Sequence, residues 1–156
     1  MHASLALSGE PPEVQVLALH RLSADLAQLR VREPATLELR EALAEARTAD
    51  ALVVAAASGA TAVVEEFLDA LAALPGLPVV LALVSPPAPP SALDVVQFLR
   101  ARLLDLGARP VRTTVVADRD DRRGPGGSLE LLAQIAHAAD ELARAVAGER
   151  PRRPRT

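Results

Sequence analysis

Apolar and polar positions along this chain follow two different periods, and the switch between them marks out the elements. Short apolar runs predict strands at His2–Ser8 (HASLALS), Val14–His20 (VQVLALH), Ala51–Ala56 (ALVVAA), Pro78–Val84 (PVVLALV) and Val111–Ala117 (VRTTVVA). The Ala51–Ala56 run has no polar alternation and reads as a parallel strand buried on both faces. Helical spacing dominates elsewhere. Pro34–Thr48 places Leu39, Leu43 and Ala46 on one face, with Leu37 nearby. Ala62–Leu74 places Val63, Val64, Phe67, Leu68, Leu71 and Leu74 together, with Glu65, Glu66 and Asp69 on a wet opposite side, and Pro75-Gly76 as its stop.

Two more helices follow. Ser91, with Asp94 three residues on, has the form of a capping box. It opens a helix with Val95, Leu99, Leu103 and Leu106 on one face and Gly107 as its C-terminal cap. Ser128 caps the last helix, which runs to Ala147 with Leu131, Ile135, Ala138 and Leu142 inward. From the middle of the chain the order is β-α-β-α-β-α, which argues a mostly parallel sheet with helices on both faces and right-handed crossovers. Only Gly9, Glu10, two prolines and Glu13 separate the first two apolar runs. A parallel crossover needs a dozen residues or more. The two runs therefore form an antiparallel hairpin, or one of them lies outside the sheet.

Composition narrows the chemistry. The 156 residues suit one domain over 1–148, with a basic Pro/Arg tail (149–156) read as disordered. Without cysteine there are no disulfides, thiolate nucleophiles or cysteine metal sites. All seventeen cations are arginine, so a Schiff-base or P-loop lysine is excluded. Only Phe67 and Phe98 are aromatic, which leaves almost no platform for a base or a flavin ring. The net charge is −3, and about −7 without the four tail arginines, which does not suit a nucleic-acid reader. No run is long enough to span a membrane, and Met1–Gly9 has no basic start, so a cytoplasmic protein is expected.

The phrases ARTADALVVA, GLPVVLALVS and LLDLGARPVRTTVVAD, with the helices between them, resemble NAD(P)H-dependent FMN reductases over about Ala35–Val146. The alkanesulfonate-utilisation reductases are the nearest subgroup. The resemblance implies a flavodoxin-like three-layer α/β sandwich, here with a truncated first βα unit. It also implies hydride transfer from NAD(P)H to FMN held at the carboxyl ends of the strands.

That resemblance points to three loops and to Ser8, Gly9, Ser58, Gly59, Thr61 and Ser85 as cofactor-binding residues. In the family the first loop opens a helix whose amides hold the FMN phosphate. Here Ser8-Gly9 is followed by Glu10-Pro11-Pro12, where prolines offer no N–H and Glu10 repels phosphate. The second loop, Ala57-Ser58-Gly59-Ala60-Thr61, keeps small donors at a helix start but lacks the family's proline and tyrosine. In the third, Ser85 precedes four prolines and one alanine. No residue is singled out as catalytic, and nothing forms a metal-ligand cluster.

The remaining candidates have structural readings. His137 stands four residues before Glu141, the spacing of a surface ion pair. His20 ends the second predicted strand and His2 lies at the start. The loop Asp118–Arg123 is either a grip on an anionic nucleotide or a solvated charged loop. Two functions follow. One is an FMN reductase, which needs little acid–base machinery because the cofactor carries the chemistry. The other is a catalytically degenerate relative acting as an interaction subunit, in a homo-oligomer or with a partner reductase subunit. A continuous exposed apolar patch on Ala62–Leu74 or Ser91–Leu106 would favour the second. A nucleotide-binding regulatory domain without flavin is a third.

Overall fold

A computed structural model describes residues 12–31, 34–57, 59–85, 92–118 and 128–149. After a short 3-10 turn (Leu19–Arg21) the order is α1 (Ser23–Arg30), α2 (Leu37–Thr48), β1 (Leu52–Ala57), α3 (Thr61–Leu71), β2 (Pro78–Ser85), α4 (Ala92–Asp105), β3 (Arg109–Asp118) and α5 (Leu129–Glu149). The strands form a parallel sheet in the order β1-β2-β3, with Leu52 opposite Val79 and Pro78 opposite Arg109. Between Val79 and Leu81 the partners on β3 jump from Pro110 to Thr114, so β3 bulges there. The result is the expected flavodoxin-like layering of helices on both sides of a parallel sheet.

Period and caps explain the helices. Thr36 Oγ1 accepts the Leu39 N–H at 3.2 Å and donates to Asp25 Oδ2 at 3.0 Å, so one hydroxyl starts α2 and ties it to α1. Helix α2 buries Leu39, Ala42, Leu43 and Ala46; Leu37, read as near that face, points to solvent. Helix α3 buries Val64, Phe67, Leu68 and Leu71, as its spacing predicts. It stops earlier than Pro75-Gly76, because Ala72 takes a left-handed conformation (φ 64°). Arg47 of α2 supplies the cap there, donating to the carbonyls of Ala70 (3.0 Å) and Leu71 (3.3 Å). The acidic side of α3 is paired as well as wet: Glu66 bonds Arg30 of α1 at 2.9 Å, and Asp69 bonds Arg102 of α4.

Gly107 ends α4 as the sequence predicts. At φ 81° its N–H reaches Leu104 O (2.9 Å), and the next N–H, of Ala108, reaches Leu103 O (2.9 Å). That pair of bonds is a Schellman cap, and the left-handed φ is what requires glycine. Val96 joins Leu99 and Leu103 as a buried residue, and Val95 and Leu106 pack half-buried against the same core. Ser128 Oγ accepts the Leu131 N–H at 3.2 Å and caps α5, whose Leu131, Ile135, Ala138 and Leu142 all pack inward.

Two sequence expectations are corrected. Val14–His20 is not a strand. Residues 12–18 have no regular structure, Leu19–Arg21 is a 3-10 turn, and His20 is exposed on that turn rather than at a strand end. Val14 and Val16 are 66% and 87% exposed, while Leu17 and Leu19 pack half-buried against the main core without joining a sheet. What organises this stretch is Leu22, Leu26 and Leu29 at helical spacing, which dock α1 onto the main core. The short-linker argument is thus met by the second option: this run lies outside the sheet. The second correction concerns β1. It is not buried on both faces, since Leu52 and Val54 are half-buried and Ala56 buried, whereas Val53 (64%), Ala55 and Ala57 are exposed.

Candidate ligand site at the carboxyl edge of the sheet

The three described strands run parallel, so Ala57, Ser85 and Asp118 finish at the same edge, with Ala57 level with Val84 and Ser85 level with Asp118. Helices α3, α4 and α5 start from that edge, and their first turns aim unpaired backbone N–H groups toward it. This is the crevice where open α/β sheets bind ligands.

The three helix starts differ. Helix α5 has a side-chain cap from Ser128 and an acidic residue, Glu130, in its first turn. Helix α4 carries Asp94 in its first turn. Helix α3 has neither. Its N-cap is Ala60 (φ −125°, ψ 29°), no side chain caps it, and no acidic residue lies in its first turn. The Ala60 N–H is used in a tight turn to Ala57 O at 2.9 Å. Thr61, half-buried, is the first helical residue. Gly59 sits exposed in the turn, and a Cβ built on it meets nothing within 4 Å. A helix start without a side-chain cap or a first-turn acid presents amides and a positive dipole end, which favour negative charge.

Of the six residues named from the sequence, Gly59 and Thr61 are brought together here, and Ser85 ends the neighbouring strand. Ser8, Gly9 and Ser58 lie outside the described residues, as do most of the loop after β3 and the tail. The signal that the sequence reading passed over is Ala60. Alanine at an N-cap leaves the first-turn amides without the oxygen that serine, threonine or aspartate would supply.

Several polar groups of α4, α5 and β3 are committed to structure. Glu141 Oε2 accepts the Thr113 N–H at 3.0 Å, and its other oxygen lies 3.4 Å from His137 Nε2. This is the i,i+4 pair read from the sequence. The Thr113 hydrogen bond, followed by the smaller pull of His137, lowers the Glu141 pKa below its ordinary value. Gln134 Oε1 takes the Val116 N–H at 3.0 Å, while Arg100 of α4 donates to Arg112 O (3.1 Å) and Thr114 Oγ1 (3.2 Å). Side chains from both layers thereby seal the β3 edge.

A surface pocket of about 220 Å³ lies away from the helix starts, between residues 16–22 and α2. Its wall includes Glu38, Glu41 and Glu45 beside a single Arg21, a poor setting for a phosphate. Among the described residues no group of three or more His, Asp or Glu could hold a metal ion, and no helix is long and apolar enough to cross a membrane.

No established family profile matches the sequence, and no curated protein does. A solved structure does: an oxidoreductase from Corynebacterium diphtheriae, 30% identical, superimposes with a TM-score of 0.79 over 95% of this chain and 83% of its own. At that identity and coverage, with the same layered α/β fold, the chain belongs to the family of this oxidoreductase.

Proposed function

We propose that the chain is an FMN-dependent NAD(P)H oxidoreductase. The observation that carries this reading is the bare amino-terminal end of α3 at the carboxyl edge of the sheet, in a chain of an oxidoreductase's family. The backbone amides at the start of α3, beginning at Thr61, hold the anionic phosphate, and the open space over Gly59 admits it. Bound there, FMN would supply the redox chemistry by accepting hydride from NAD(P)H. Titration of FMN into the purified protein, read by flavin fluorescence and thermal shift, tests the reading. Saturable micromolar binding is the expected result. Ligand at a hundred times its dissociation constant should add about 2.7 kcal/mol of stability. Neither binding nor shift at millimolar FMN would overturn it. NAD(P)H oxidation by the FMN-loaded protein then tests the activity.

One observation favours a second reading, a non-catalytic interaction subunit in a homo-oligomer or with a partner reductase subunit. Helix α4 exposes three large apolar side chains, Leu93, Phe98 and Leu104. Large apolar side chains grouped on one helix are characteristic of a contact surface. Light scattering at micromolar concentration decides between them when combined with the titration. An assembly larger than the monomer with no FMN binding selects this reading, and a flavin-binding monomer rejects it.

A further inference from the structure

We draw no further inference here: the strongest candidate, the exposed apolar strip of Val53, Ala55 and Ala57 on the α5 side of β1, is an unpartnered sheet face and nothing in the structure shows what covers it.

Discussion

The two faces of the sheet are packed very differently. On one, α1 to α4 close over Val79, Leu81, Leu83 and Ala56 in a continuous core of nineteen buried residues, with Leu39 and Leu103 fully excluded from solvent. On the other, among the described residues, Ala138 and Leu142 of α5 form a cluster of just five buried residues with Val80 of β2 and Val111 and Val115 of β3. Val53, Ala55 and Ala57, on the second face of β1, are exposed. The helix starts divide in the same spirit: α5 is capped by Ser128 and tethered to β3, whereas α3 meets the carboxyl edge bare.

Truncations should expose this difference most strongly. Leu103→Ala empties a site with no solvent exposure and should cost about 2–5 kcal/mol. Val53→Ala removes an apolar side chain from an exposed site and should stay within about 0.5 kcal/mol. Denaturant melts of both variants check this. If Val53→Ala destabilised as much as Leu103→Ala, the second face would be covered in solution and the contrast would collapse.

Thr36→Ala comes next. It removes the cap of α2 and the link to Asp25, and should cost about 1 kcal/mol. Thr36→Ser keeps the hydroxyl and should recover most of that. A serine variant as unstable as alanine would show that the methyl group, not the cap, matters.

On the weaker face, Glu141 anchors α5 to the β3 edge. Glu141→Ala leaves the Thr113 N–H without its acceptor and should cost about 1 kcal/mol. Glu141→Gln keeps an acceptor and should cost less. Because the folded state lowers the Glu141 pKa, its charge adds stability that is present above the unfolded value and lost as pH falls through the folded one. Melts between neutral pH and pH 3 should show wild type losing more stability than Glu141→Gln. Parallel profiles would remove the carboxylate's electrostatic part from the account.

The sequence made much of this legible, unevenly. Elements whose period and punctuation agree were readable: α5 from Ser128 and its four inward residues, the end of α4 from Gly107, β2 from its apolar run. The segment 14–20 misled because its alternation Val14-Val16-Ala18 mimics a strand, while the residues that fix it in space are Leu17 and Leu19, half-buried against the core, and the buried Leu22. Whether β1 is buried on one face or two depends on how far α5 reaches across the sheet, which no local pattern encodes. At the site, Gly59 before α3 and Thr61 at its first position were named through the family resemblance alone. The distinction between α3 and its neighbours came from an absence, the missing oxygen at Ala60, which becomes visible only once the helix start is fixed.

The smallest effect on stability bears most directly on the site. Gly59 has no left-handed backbone to protect and no neighbour within 4 Å of an added methyl, so Gly59→Ala should change the melt by no more than about 0.5 kcal/mol. Packing therefore does not require glycine at this turn. If the amides beyond it hold a phosphate, the added methyl stands in the ligand's path, and the variant should bind FMN several-fold more weakly while folding as well as wild type. Ser128→Ala is the control at the capped helix: it should lose about 1 kcal/mol of stability and leave FMN affinity unchanged. If Gly59→Ala bound FMN as tightly as wild type, the ligand would not approach through this turn, and the α3 start would lose its claim over the other two helices.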